Sequence, residues 1–296
     1  MYRSMLCAFV VLALTPASSV WADNTAIVSL VRIDDFVFPG AEFLFDLEIN
    51  LDVAGVASVS AQAGNVALTF DEGSPGEWEQ IEEPLYANLA ALQSAVDGTW
   101  TITITGTFPS TTTFTVGAAG LVDGDFFPTP TNVSPANGAT DVSSTALLSW
   151  TDPTGLVTPY ALILEVEDDV LLDQEALSIP DLGILEIPIN ATSWQPPLAL
   201  PDGLNEFFIS YVDVDLTVIN ATISAFQVTS GTIAWNNSEF SPPGYPATTP
   251  LLALASETVV GFTVPEPSAG LLGAAVLATL AGVKRRRTIV DGRVGG

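Results

Sequence analysis

The chain has 296 residues, with 34 acidic side chains, seven basic ones and no histidine, and its formal net charge is −27 at pH 7. Two of the acids and six of the bases lie outside residues 23–264, so this region carries 32 acids and a single base, Arg32. Such a charge argues against a nucleic-acid partner, because that binding depends on Lys and Arg at the phosphates. It favours solubility and attracts divalent cations or cationic polymers.

The residue types also restrict the chemistry. Without histidine, and with Cys7 as the only cysteine, the chain contains neither a Ser-His-Asp or Cys-His catalytic arrangement nor a Cys/His zinc site. Paired carboxylates remain, at Asp168-Asp169 and at Asp213 and Asp215, and they leave a carboxylate-based glycosidase as a third alternative. With so many acids such pairs arise by chance, so we predict a protein that is not an enzyme.

The N-terminal residues 1–22 have the features of a secretory signal peptide. Arg3 precedes an apolar run over residues 5–14, and Val20-Trp21-Ala22 places small residues at the −3 and −1 positions. The run is too short for a spanning helix. We therefore predict export by the Sec machinery and cleavage between Ala22 and Asp23.

Residues 23–127 are predicted to form the first β-domain. In "AEFLFDLEINLDV" apolar and acidic residues alternate, which predicts one packed face and one solvated face, with Asp46, Glu48 and Asn50 on the solvated side. "TWTITITG" repeats the alternation, and "YANLAALQSAVDG" has helical spacing that ends at Gly98. Antiparallel strands with one short helix are typical of a sandwich or a jelly roll.

Residues 128–231 are predicted to form a second β-domain after a proline-rich boundary. The strands "TALLSWTDP", "YALILEVED", "LPDGLNEFFISYVDVD" and "TISAFQVTS" follow one another. With Trp150 on the second strand of the unit and the Leu200 to Gly203 turn, the segment is similar to a fibronectin type III-like domain. At the corner where that family has a tyrosine, this chain has Phe207 or Phe208. The resemblance implies an immunoglobulin-like sandwich that needs no disulfide.

The predicted fold class is therefore all-β, with two tandem antiparallel β-sandwich domains. An N-terminal signal helix and a short C-terminal apolar helix flank them. Residues 232–263 are either a linker or a terminal strand that returns to a sheet.

The C-terminal residues 264–287 contain three features in a fixed order. The triplet Pro265-Glu266-Pro267 precedes a 15-residue apolar run over residues 269–283, and four bases follow: Lys284, Arg285, Arg286 and Arg287. As a helix the run spans about 22 Å, whereas the hydrocarbon core of a bilayer is about 30 Å thick. This order resembles a PEP-CTERM sorting signal. The resemblance implies a Gram-negative bacterium, transient inner-membrane anchoring and removal of the tail by an exosortase; a retained tail anchor with cytoplasmic bases is the alternative.

These features predict an exported structural or interaction protein of the cell surface or the exopolysaccharide matrix. The alternative is a module that binds extracellular polysaccharide or Ca²⁺. Asp123-Gly124-Asp125 offers oxygen ligands for Ca²⁺, and so do Asp213 and Asp215. Three tryptophans near loops offer rings for sugar stacking: Trp78, Trp194 and Trp235. No cofactor or metal is assigned.

Overall fold

The computed structural model describes part of the chain, and within that part the protein is mostly β. The described residues are 24–35, 43–64, 66–73, 75–81, 84–154, 156–168, 173–213, 218, 221–237 and 242–265. The predicted signal peptide and the predicted C-terminal apolar helix lie outside these ranges. Among the described residues, no helix is long and apolar enough to cross a membrane.

Within the described ranges, the strands follow one another with one complete α-helix between them. The first group comprises β1 (Thr25–Asp35), β2 (Phe43–Asn50), β3 (Val56–Ala63), β4 (Val66–Glu72), β5 (Glu77–Gln80), β6 (Leu85–Tyr86), α1 (Leu89–Val96), β7 (Gly98–Gly106) and β8 (Ser110–Val116). The second group comprises β9 (Thr131–Ser134), β10 (Leu148–Thr151), β11 (Ala161–Asp168), β12 (Asp173–Ile179), β13 (Ile184–Leu185), β14 (Ser193–Trp194), β15 (Gly203–Asp213), β16 (Gln227–Ser230) and β17 (Leu251–Val264).

One large sheet contains strands from both predicted domains. Its hydrogen-bonded order is β13-β12-β11-β15-β17-β1-β2-β5-β4-β3-β7-β8-β16, and β6 pairs with β2. The strand β17 lies between β15, to which it is antiparallel, and β1, to which it is parallel. Residues 251–264 therefore form a terminal strand at the centre of the sheet. The strands β14, β10 and β9 form a separate small sheet.

Two apolar cores pack against the face of this sheet that carries Phe45 and Phe207, and the first core also includes residues of the opposite face. In the first, Phe45 of β2 stacks on Trp100 of β7 with ring centroids 4.8 Å apart. In the second, Phe207 of β15 lies beside Trp150 and Trp194, at 6.0 and 6.4 Å between ring centroids. The small sheet covers this second core, because Trp150 belongs to β10 and Trp194 to β14.

The strand β17 contributes side chains to both cores. They run in the order Leu252, Leu254, Ser256, Thr258, Val260, Phe262 and Val264. Leu252 and Leu254 belong to the first core, and Val260, Phe262 and Val264 to the second. The two polar residues between them are Ser256 and Thr258. Ser256 lies opposite Arg32 of β1, which donates a hydrogen bond to the carbonyl of Phe127. At about 3.3 Å per residue, the 14 residues of β17 extend about 46 Å, enough to cross both cores.

Several local predictions are confirmed, and one is wrong. The short helix is present as α1, with Asn88 as its N-cap and Leu92 and Val96 buried. Strands also form at the predicted alternating segments, including β7, β8, β11 and β15. The predicted solvated face of β2 is wrong, because all eight residues of this strand are buried, including Asp46 and Glu48.

One predicted strand has a partner from the other predicted domain. Residues Gln227–Ser230, predicted as the last strand of the second domain, form β16 and pair with β8. Together with the central position of β17, this pairing joins residues on both sides of the predicted boundary in one sheet.

Candidate functional site on the acidic face of the central sheet

The face of the large sheet opposite the one that carries Phe45 and Phe207 bears most of its carboxylates. The pairing of β1 with β2 places Asp46 opposite Ser29 and Glu48 opposite Ile27. The pairing of β11 with β15 places Glu167 opposite Glu206. We call this side of β1, β2, β5, β11, β12, β15 and β17 the acidic face.

The carboxylates of the acidic face form two groups. The first group lies on β2 and β5 and consists of Asp46, Glu48, Glu77 and Glu79. The second group lies on β11, β12, β15 and β17 and consists of Glu165, Glu167, Glu175, Glu206 and Glu257. Strand register, rather than proximity in sequence, assembles each group.

An apolar band separates the two groups. Following the register from β12 to β2, its side chains are Leu177, Ile179, Ile163, Ala161, Val212, Ala255, Ala253, Leu251, Val31, Ile27 and Leu44. All of them are buried and belong to the larger apolar cluster of the protein. The acidic face is therefore an apolar strip with negative charge along both sides.

Burial on the acidic face extends to polar atoms. Within the described part of the chain, the hydroxyl oxygens of Thr25 and Ser29 and Oε2 of Glu48 are buried and have no hydrogen-bond partner. The other carboxylate oxygen of Glu48 accepts a hydrogen bond from Nδ2 of Asn50 at 3.2 Å. Buried polar atoms without partners are uncommon in native proteins.

The first acidic group has a perturbed protonation equilibrium. Burial raises the pKa of Glu48 well above its ordinary value, and the neighbouring Asp46 raises it further. Burial and the charge of Glu77 also raise the pKa of Glu79. An approaching cation would favour the ionised form of these groups and oppose both effects.

The described members of the predicted Ca²⁺ ligands, Asp123, Asp125 and Asp213, belong to no cluster of metal-ligating side chains among the described residues. No three His, Cys, Asp or Glu side chains in the described ranges are grouped to hold a metal ion. Oδ2 of Asp125 instead accepts a hydrogen bond from the Val122 amide at 2.7 Å and closes the 3₁₀ turn Asp123–Asp125. Burial lowers the pKa of Arg32, and the negative charge of the nearby Asp123 acts in the opposite direction.

The structure describes one member of each predicted carboxylate pair, Asp168 and Asp213, and these two lie far apart. Asp168 lies opposite Asn205 at one end of the β11–β15 ladder, whereas Asp213 lies at the other end of β15. Eight residues of extended strand separate Asn205 from Asp213, about 26 Å. Asp169 and Asp215 lie outside the described residues.

The three tryptophans considered for sugar stacking are buried. Trp78, Trp194 and Trp235 are each at most 7% exposed. Trp235 stacks on Phe226 with ring centroids 4.5 Å apart, and its Nε1 donates to the Thr112 hydroxyl at 3.0 Å. These rings stabilise the cores and do not present a platform to a polysaccharide.

Only one residue of the predicted Pro265-Glu266-Pro267 triplet lies within the described part of the chain. Pro265 follows the last residue of β17 directly and is exposed. The remaining predicted processing residues lie outside it: Glu266, Pro267, Lys284, Arg285, Arg286, Arg287, Ala22 and Asp23.

The sequence analysis missed a buried polar cluster in the second core. Nε1 of Trp150 donates to the hydroxyl of Tyr211 at 2.9 Å, and this hydroxyl donates to Oδ1 of Asp152 at 2.7 Å. Burial raises the pKa of Tyr211, and Asp152 contributes to the same direction. The Trp-x-Asp spacing at the end of β10 was the available signal, but nothing local indicated that Tyr211 would face it.

No protein-family model matches this chain, and no curated protein matches it either.

Proposed function

We propose that the protein is an exported structural or interaction protein of the bacterial cell surface or exopolysaccharide matrix. Its C-terminal signal is recognised at Pro265-Glu266-Pro267, and an exosortase removes the segment that follows. The Sec machinery and the exosortase are its processing partners. The inner membrane holds it transiently before processing.

The observation that carries this proposal is where β17, the last described strand, ends. β17 ends at Val264, opposite Gly203 of β15, and the exposed Pro265 follows at once. A cut within or after the triplet leaves all seventeen described strands intact. A cut before Leu251 would remove the strand that joins β15 to β1, so the position of the triplet fits its proposed role as a processing site.

A role without catalysis is consistent with the described residues. Asp168 and Asp213, the described members of the two carboxylate pairs considered for glycoside hydrolysis, lie at opposite ends of the β11–β15 ladder, and most acids of the acidic face are buried. The large net charge of residues 23–264 gives the released body a strongly anionic character, which suits a component of a hydrated matrix.

The test compares processing in cells of a Gram-negative bacterium with and without its exosortase. We expect a shortened, released protein only in the first cells, and a full-length, membrane-associated chain when Pro265, Glu266 and Pro267 are all replaced by Ala. Pro243→Ala with Pro246→Ala is the matched control, because both prolines are exposed and lie in a loop before β17. Release of the shortened protein from cells that lack exosortase would contradict the proposal.

A further inference from the structure

The outward face of five neighbouring strands, β3, β4, β7, β8 and β16, is lined mainly with hydroxyl side chains. Trp100, Ile102 and Phe114 of β7 and β8 belong to the first core, so the alternate residues of these strands lie on the other side of the sheet. On β7 and β8 every one of these alternate residues is a threonine that is exposed or half-buried. We call the outward side of the five strands the hydroxyl face.

Strand register aligns the side chains of the hydroxyl face in rows that cross the strands. The longest row of hydroxyls follows the order β4, β3, β7, β8 and β16 and consists of Thr69, Ser60, Thr103, Thr111 and Ser230. Neighbouring strands lie about 4.8 Å apart, so the row spans about 19 Å. A second row lies two residues away along the strands, about 6.7 Å, and consists of Gln62, Thr101, Thr113 and Gln227.

Hydroxyls of the longest row are available to a ligand. Within the described part of the chain, the side-chain hydroxyls of Ser60, Thr69 and Thr103 make no hydrogen bond to the protein. Elsewhere on the face hydroxyls bond to each other, since Oγ of Ser58 and Oγ1 of Thr105 lie 2.7 Å apart. A hydroxyl both donates and accepts hydrogen bonds, so the longest row can bind another hydroxyl group in either direction.

The hydroxyl face is nearly free of charge, although the chain is strongly acidic. β4 ends in Asp71 and Glu72, and the other four strands of the face contain no acidic or basic residue. In the same large sheet, β2, β5, β11 and β12 all carry acids. The preference of threonine for strands explains its presence here, but it does not explain why acids are confined to other strands.

The charge and the residue types of the face select the kind of ligand. An anionic polymer would meet no base here and would be repelled by the 32 acids of residues 23–264. A cationic polymer would bind those acids instead. Protein interfaces are enriched in aromatic residues, Met and Arg and depleted in Ser, and the outward positions of these five strands carry none of the enriched types. These properties favour a neutral polymer that is rich in hydroxyl groups.

We propose that the hydroxyl face binds a neutral polysaccharide, which lies along the row that crosses the strands. The spacing of the row is close to the length that one hexose adds to an extended glycan, so successive sugars meet equivalent hydroxyls. The threonine methyl groups contact the apolar faces of the sugar rings. This proposal rests on the proposed function, because it names the polymer that a matrix protein holds; its test uses purified protein without exosortase, so either proposal can fail alone.

The test is retardation of the purified full chain in native gels that contain a polysaccharide. The neutral probes are hydroxyethyl cellulose, laminarin and dextran, and alginate is the anionic comparison. We expect at least one neutral probe to slow the protein and alginate to leave its migration unchanged. Normal migration with every neutral probe, or retardation by alginate alone, would overturn the proposal.

Thr103 lies at the centre of the longest row, so its substitution tests the site. Thr103→Val keeps the shape of the side chain without the hydroxyl and should weaken binding about fivefold, the effect of one hydrogen bond. Thr103→Glu should weaken binding at least tenfold, because the ligand would desolvate an unpaired carboxylate. Thr140→Glu is the matched control: it adds the same charge at an exposed threonine outside the strands and should leave binding unchanged.

Far-ultraviolet circular dichroism and the urea midpoint establish that each variant is folded, and Thr103→Val carries the test if Thr103→Glu is not. Equal binding by the unmodified chain and the folded Thr103 variants would overturn the proposal. So would an equal loss of binding in Thr140→Glu. A dimer of the unmodified chain that Thr103→Glu dissociates, measured by analytical ultracentrifugation, would also overturn it, since the face would then hold a second copy of the chain.

Discussion

Replacing Phe207 by Ala tests whether the central sheet unites the two cores. The side chain is fully buried, and its ring contacts Trp150 and Trp194 of the small sheet. Truncation of a buried phenylalanine costs about 3–5 kcal/mol, since apolar burial is lost and a cavity remains. Because β15 carries Phe207 and pairs with β17, which also pairs with β1, the loss should lower the stability of the whole sheet.

The assay is urea unfolding followed by tryptophan fluorescence and by far-ultraviolet circular dichroism. We expect both probes to move together to lower urea, in one transition. Phe108→Ala is the matched control, because the same atoms are removed from a side chain that is 53% exposed; it should change the free energy of unfolding by less than about 0.5 kcal/mol. A loss below about 1 kcal/mol for Phe207→Ala, or two separate transitions, would refute this reasoning.

Three further substitutions test particular contacts. Tyr211→Phe leaves Nε1 of Trp150 and the carboxylate of Asp152 without their shared hydroxyl and should cost about 1–3 kcal/mol in urea unfolding; a cost near zero would mean that the hydroxyl is dispensable. Asn88→Ala removes the N-cap of α1 and should cost about 1 kcal/mol, measured by the same method, and an unchanged midpoint would contradict the capping role. The pKa of Glu48 in the folded state is raised above its ordinary value of 4.5, so the folded state holds this proton more tightly than the unfolded state does. The contribution of Glu48 to the stability of the folded state therefore declines as the pH rises from about 4.5 towards the folded pKa. Glu48→Gln should therefore raise stability at pH 7 and flatten the pH profile of unfolding, and an unaltered profile would contradict the assignment.

Local features of the fold were predictable from sequence because they depend on near neighbours. The alternation of Trp100, Ile102 and Ile104 identified β7, and the spacing of Leu92 and Val96 identified α1. The place of β17 was not predictable, since its parallel partner β1 lies more than 200 residues earlier in the chain. The residues of a strand do not indicate which distant strand it pairs with.

The second face of the sheet shows another limit of sequence patterns. Alternation in β2 correctly separated Phe45 and Leu47 from Asp46 and Glu48, but it could not tell whether the acidic side faces water. The acidic face arises only when register aligns carboxylates that are scattered between residues 46 and 257. The sorting signal, in contrast, is contiguous, and for that reason it could be proposed from sequence alone.

The most direct test of the proposed function is the intact mass of the protein purified from its native host. The proposal predicts a chain that begins at Asp23 and ends at or within Pro265-Glu266-Pro267, so that the complete β-structure is retained without its leader and its tail. A mass that retains Arg287 would contradict it and would identify the C-terminal segment as a permanent anchor.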